Sequence, residues 1–269
     1  MKINKKSIKV NMTMKKLAIL LCFILLVPLT AKSQISVMDR EYFPTSFIGL
    51  TAGIGLTSYS GSVSFYGNQV DCDPYTFDAN SEFQVNFLFG LRAEWKIAKQ
   101  FDLYASLLYE DRSAKFDPFN YQGYVYVSDQ KPLEPATLGQ ELDAKINILS
   151  ITPMIKYRPF DFDFGILIGP SFALIISDEL DSRESIIQPS ELVFKPTGGK
   201  ERTIYSGEIE SKNSLLIDLK FGLSYGIMLA ERIKLSPEVF YVLPLMNVTS
   251  EDDWKISSIQ FLLSLSYGL

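Results

Sequence analysis

The feature that most constrains this chain is a period-two alternation of apolar residues, sustained much longer than a soluble strand needs. From Phe83 to Ile97 the odd positions read Phe, Val, Phe, Phe, Leu, Ala, Trp, Ile, while Gln84, Asn86, Gly90, Arg92, Glu94 and Lys96 lie between them. Successive strand residues point to opposite faces, so the segment has one apolar and one polar face. The same holds for the even positions from Phe162 to Ile176 and the odd positions from Leu215 to Leu229. It holds again for Ile259, Phe261, Leu263, Leu265, Tyr267 and Leu269. Four less regular segments, Ser46–Leu56, Phe101–Asp111, Asn147–Tyr157 and Ile233–Leu245, bring the total to eight. An uninterrupted apolar face of roughly 15 residues exceeds the 5–6 of ordinary strands. A polar face carrying glycine and both signs of charge suits a narrow lumen.

The connections alternate in length. Ala98-Lys99-Gln100, Arg158–Asp161 and Ala230-Glu231-Arg232 are tight, whereas Thr57–Glu82, Arg112–Ile146 and Ser177–Ser214 are long and Met246–Asp253 is short. Turns at one end and loops at the other is the layout of an outer-membrane barrel, with turns periplasmic and loops outside the cell. The expected fold is therefore all-β: an eight-stranded antiparallel transmembrane β-barrel, an up-and-down meander over residues 46–269 with long extracellular loops. Pro153, Pro170, Pro237 and Pro244 fall inside strands. A closed barrel has no edge strand to excuse a missing N–H, so local bulges are expected there.

The N-terminus reads as an address. Lys2, Lys5, Lys6, Lys9, Lys15 and Lys16 precede a 13-residue apolar run, Leu17–Leu29, followed by Ala31-Lys32-Ser33. Basic, apolar and small residues in that order make a signal peptide, residues 1–33, with Gln34 as the expected mature start and 34–45 a short periplasmic segment. The run is shorter than the ~20 residues of a spanning helix. The first 33 residues hold seven lysines and no acid, so 19 basic and 31 acidic residues remain beyond them. That balance makes nucleic acid a poor partner. Cys22 lies within the signal, leaving Cys72 alone and no internal disulfide.

The segments Ser150-Ile151-Thr152-Pro153-Met154-Ile155-Lys156-Tyr157, Gly165–Ile176 and Leu263–Leu269 resemble the PorT-like outer membrane β-barrel proteins of Bacteroidota. The resemblance covers nearly all of the mature chain and implies an outer-membrane barrel of about eight strands. One branch of that family is associated with type IX secretion, and no residue here singles out that branch.

Chemistry is constrained by what is missing. The chain has no histidine, so a Ser-His-Asp arrangement cannot be assembled. No enzyme, cofactor or metal is expected. Asp71-Cys72-Asp73 with Asp78 lacks the ordered oxygen ligands of a calcium loop. The inward charges Arg92, Glu94, Lys96, Asp102, Asp218, Lys220, Lys234 and Glu238 read as a salt-bridged lumen plug, because the bore of an eight-stranded barrel is filled by side chains. Lys96 is expected opposite Asp102 across the first turn. Gly90, Gly165, Gly169, Gly222 and Gly226 are expected to make room for Arg92, Tyr104 and Phe240. Trp95, Tyr157, Tyr225, Tyr241, Tyr267 and Trp254 read as outward interfacial anchors.

Recognition is expected in the loops. The stretches 57–82, 117–141, 178–213 and 249–253 together hold 19 acidic and 6 basic residues. Phe119, Tyr121, Tyr124 and Tyr126 form a candidate contact surface in the second loop, since tyrosine buries much area at low entropic cost. Glu191–Phe194 and Arg202–Ile209 are expected to form a ribbon above the membrane. The expected function is a non-enzymatic barrel whose loops bind or whose body serves the envelope, with outer-membrane lipid and an envelope or extracellular protein as partners. The alternatives are an accessory subunit of a secretion or uptake machine, and a small-solute channel.

Overall fold

The computed structural model describes residues 44–65, 75–78, 83–116, 118–125, 134–195 and 197–269. The signal region, Asp71–Asp73 and Tyr126 lie outside them. Pro44–Leu269 is one compact unit. It holds β1 (Ser46–Ser60), β2 (Ser62–Phe65), β3 (Tyr75–Asp78), β4 (Gln84–Lys96), β5 (Phe101–Asp111), β6 (Ala114–Lys115) and β7 (Phe119–Val125). β8 (Glu134–Tyr157), β9 (Phe164–Gln188), β10 (Glu201–Gly207), β11 (Leu215–Tyr225), β12 (Ile227–Ala230), β13 (Ile233–Pro244) and β14 (Lys255–Gly268) follow.

Eight of these strands close a ring. The antiparallel order β1-β4-β5-β8-β9-β11-β13-β14 returns to β1, where Phe47 faces Gly268 and Ser60 faces Lys255. β12 continues the line of β11 past Gly226 and also pairs β13. Closure leaves no ladder edge among these strands, which lets a sheet stand in lipid. The alternation decides the faces: Val85, Phe87, Phe89 and Leu91 point out and are exposed, while Asn86, Leu88 and Arg92 point in and are buried.

The prolines do not bulge. Pro237 faces Leu263 and Pro244 faces Asp218 in unbroken registers. Between β8 and β9 the ladder pauses after Ile151↔Phe172 and resumes at Ile155↔Ile168 in the same register, so Pro153 and Pro170 stand opposite one another. Both missing donors fall in one short gap, and Thr152 and Ser171 bridge it from inside through their hydroxyls at 2.9 Å. The irregularities in this ladder lie higher, at Asn147/Ile148 and Thr137/Leu138.

β8 and β9 correct the expected loop lengths. Asn147–Tyr157 and Phe162–Ile176 are only the membrane-facing parts of strands of 24 and 25 residues. Spanning takes about 9–11 residues, so both strands run well past the apolar belt. The Asn147/Ile148 irregularity sits where outward residues change from Leu149 and Ile151 to Lys145 and Asp143. Above it, β6, β7 and β10 flank β8 and β9 in an upright sheet, here called the blade. The expected ribbon forms differently: β10 pairs with Leu180–Ser185 of β9, while Leu192 and Phe194 fold down as core. β9 supplies the nearer and longer edge.

Candidate functional site

The lumen is layered. At the turn end, Glu238 accepts Arg92 Nη1 at 2.6 Å, Tyr104 Oη at 3.1 Å and Ser264 Oγ at 3.2 Å. Arg92 also meets Glu94. Glu94 in turn accepts Lys234 Nζ at 2.9 Å and Lys156 Nζ at 3.2 Å. Asp163, from the β8–β9 turn, reaches back to Lys156 at 2.6 Å and Lys234 at 3.4 Å. Three cations thus meet three carboxylates. Above them Leu88, Tyr104, Leu108, Met154, Leu167, Phe240 and Leu262 form an apolar layer fed by six different strands.

A second charge cluster lies above that layer. Glu110 is fully buried and accepts Lys220 Nζ at 2.8 Å, Arg112 Nη2 at 3.1 Å, Gln260 Nε2 at 2.8 Å and Ser150 Oγ at 2.5 Å. Arg112 also bonds Asp218 at 2.8 Å. Two cations again balance two carboxylates. Tyr59, Phe116 and Trp254 then close the loop end, with ring centroids 5.2–5.5 Å apart. Buried ion pairs are costly to desolvate, and removing one partner leaves a stranded charge. The bore is filled by side chains that hold one another.

Of the eight expected plug residues, Arg92, Glu94, Lys234 and Glu238 meet in the lower cluster, and Asp218 and Lys220 in the upper one. Asp102 is buried but bonds Arg158 Nη2 at 3.0 Å. Lys96 does face Asp102 in register, yet it is exposed, because β4 stops alternating at its end: Trp95, Lys96 and Ile97 all reach the surface. Lys156 and Glu110 stand at even, inward positions of Asn147–Tyr157 and Phe101–Asp111, whereas Arg112 lies one residue past its segment, at the start of an expected loop. Asp163 ends the β8–β9 turn at an odd, polar position of Phe162–Ile176, so its side of the segment was legible although its partners were not. Glycine makes the expected room for Phe240, since a Cβ at Gly222 would meet that ring. Gly165 instead clears the stem of Lys156 rather than Arg92 or Tyr104. Trp254 is wholly buried in the upper lid, so it is no membrane anchor. Trp95, Tyr157, Tyr241 and Tyr267 are exposed as expected.

The carboxylates of Glu94, Asp102 and Asp163 offer oxygens within 4.8 Å of one another. Lys156, Lys234, Arg92 and Arg158 occupy those oxygens, so the group is an ion-pair lattice in its own right. Asp163, in the turn, is held below the ordinary carboxylate range. Burial alone would raise it, and Lys156 followed by Lys234 overrides that.

The blade has its own core of Val125, Ala136, Leu138, Ile186, Leu192 and Phe194, with Tyr121 packed against it. Below this core, Glu184 takes Arg202 Nε at 2.6 Å and the Tyr121 hydroxyl, and Arg202 lies 4.7 Å from the Phe194 ring centre. The aromatic contact surface is therefore split. Phe119 and Tyr121 share the core-side face of β7, whereas Tyr124, 70% exposed, stands on the other face beside Pro135. On that other side an open groove of about 590 Å³ runs past Gln122, Thr137, Ile187, Gln188 and Glu191.

A family model, the outer membrane protein beta-barrel domain, matches residues 39–250. The chain belongs to the outer membrane β-barrel family. No curated protein matches it by sequence. Among solved structures, it is similar to Ail, the attachment invasion locus protein of Yersinia pestis, at 10% identity over 83% of this chain and 99% of that one, TM-score 0.34. Neisserial surface protein A gives 9% over 84% and 97%, TM-score 0.37. OprG of Pseudomonas aeruginosa gives 12% over 86% and 99%, TM-score 0.36. The closed eight-stranded ring and the family match place the barrel in the outer membrane, with its turn end periplasmic and its blade outside.

Proposed function

We propose that this barrel is a non-enzymatic surface receptor or adhesin-like stalk: a filled, rigid body that holds the blade clear of the membrane for a protein partner. The observation that carries this reading is the continuation of β8 and β9 past the apolar belt into a sheet with a core of its own. A loop kept only for solubility needs no such core. The lack of histidine and the ion-paired lumen favour a role without catalysis. The reading includes export with cleavage after Ser33 and membership of the PorT-like branch of Bacteroidota barrels.

The test replaces residues 115–143 and 181–206 by short glycine-serine turns, where the paired ends Ala114/Ala144 and Leu180/Gly207 already stand together. The trimmed barrel should insert and keep a mobility difference between unboiled and boiled samples while losing the crosslinked partners that the intact protein captures on whole cells. If both capture the same partners, recognition lies on the wall or the periplasmic turns, and an accessory subunit of a secretion machine becomes the reading.

A further inference from the structure

The lower charge cluster does not fill its side of the bore evenly. The long side chains come from β4 and β8, with Lys234 and Glu238 from β13, while the other inward residues along β11, β14 and β1 are short: Gly49, Thr51, Ser224, Ser264 and Ser266. Ser236 on β13 joins them, opposite Ser264. Thr51 and Ser264 bond each other at 2.8 Å. Among the described residues, the hydroxyls of Ser224, Ser236 and Ser266 and the Nε of Arg92 find no partner, although each residue is at most 3% exposed. Register puts them together: Ser266 is opposite Lys234, Ser236 is two residues further along β13, and Ser224 is opposite Glu238. Buried polar groups are almost always paired with protein or with ordered water.

We infer that the periplasmic third of the bore is a dead-end aqueous vestibule, holding water on Ser224, Ser236, Ser266 and Arg92 Nε. A neutral occupant is required because the three cations and three carboxylates around it already cancel. An anion would meet Glu94 and Glu238, and a cation would meet Lys156 and Lys234. Several polar partners within reach are what a buried water needs. Entry is from the turn end, where side-chain exposure is 28% at Asp163 and 20% at Arg158 and falls to 1–2% at Lys156 and Lys234. The far wall is the Tyr104–Phe240–Leu262 layer. The periplasmic third of the bore is therefore wet rather than plugged, and the apolar layer separates it from the upper charge cluster.

Cysteine accessibility tests it in the full-length mature barrel with Cys72→Ser as background. Ser236→Cys samples the vestibule, and Ser258→Cys, buried on β14 beyond Leu262, samples the region above the layer. Unboiled gel mobility confirms closure of each variant. Hydrogen peroxide, a neutral thiol oxidant little larger than water, read by mass spectrometry, should react with Ser236→Cys about tenfold or more faster than with Ser258→Cys, as expected if only the former meets solvent. On intact cells, an outside-only impermeant reagent should leave Ser236→Cys unlabelled until the outer membrane is opened. Equal inertness of the two thiols would overturn the vestibule in favour of a dry plug. Equal reactivity would overturn its closed end and make the bore continuous. A misfolded Ser236→Cys is replaced by Ser266→Cys, for which the same rates are expected.

Discussion

Glu110 is the residue whose removal most directly tests whether the bore is held by paired charge. It ties four strands, since its carboxylate accepts from Ser150 on β8, Lys220 on β11, Gln260 on β14 and Arg112 just past its own strand. In Glu110→Ala, Arg112 keeps Asp218, but Lys220, 1% exposed, loses its carboxylate. Breaking a buried pair from one side costs about 3–5 kcal/mol, and two further orphaned hydrogen bonds put the expected loss at the upper end of that range. Lys220→Met should cost less, because Glu110 retains Arg112. The combined Glu110→Gln, Lys220→Met variant removes both charges and should lie within about 2 kcal/mol of wild type, since an apolar replacement of a buried pair is often neutral. The assay is urea unfolding from phosphocholine vesicles followed by tryptophan fluorescence. A double-mutant cycle with Glu110→Gln and Lys220→Met as its single corners then isolates the pair's coupling. Simple additivity of the single effects, or a Glu110→Ala cost under about 1 kcal/mol, would refute the plug as a load-carrying network.

Other outcomes are expected with equal directness. Pro153→Ala together with Pro170→Ala restores two ladder donors and should stabilise the barrel by about 0.5–1.5 kcal/mol per bond, read as slower exchange of the flanking amides of Thr152, Met154, Gly169 and Ser171; faster exchange there would contradict the paired gap. Planar-bilayer recordings should show no large steady conductance, whereas an ion-selective current altered by Glu238→Ala would favour a channel. Brominated lipid should quench Trp95 and spare Trp254, so Trp95→Phe should abolish the quenching. Asp163→Asn should lower the thermal midpoint at neutral pH. A depressed carboxylate stabilises above the unfolded value of about 3.9 and loses that contribution as pH falls through its lower folded value, so the two midpoints should converge on acidification.

The wall was legible because lipid and lumen impose opposite preferences on alternate residues. Phe83–Ile97 and Leu215–Leu229 declare their faces without help. The extent of β8 and β9 was not, because above the lipid the outward face turns polar and Lys145, Asp143 and Glu141 erase the contrast that marks a strand. Trp254 misled for a related reason: it precedes β14 by one residue, where period no longer tells in from out. Within the lumen the charges were visible but their partners were not, since pairing such as Arg92 with Glu238 joins residues 146 apart in sequence. Asp163 showed its face, as an odd position of Phe162–Ile176, but not its partners. Its role depends on a turn folding back under the barrel, a tertiary fact that strand periodicity cannot encode.

The unbroken run of β8 and β9 from the periplasmic turn to the blade has a mechanical consequence. A pull on the blade by a bound partner travels along both strand axes into the wall, loading in shear the ladders that join β8 to β5 and β9 to β11, where many hydrogen bonds resist together, rather than peeling them singly. The gap at Pro153 and Pro170 lies instead in the ladder that the two strands share, close to the periplasmic end and far from the blade. Both strands are drawn the same way, so that ladder carries little sliding load and the weakest rung of the seam sits where the least force arrives.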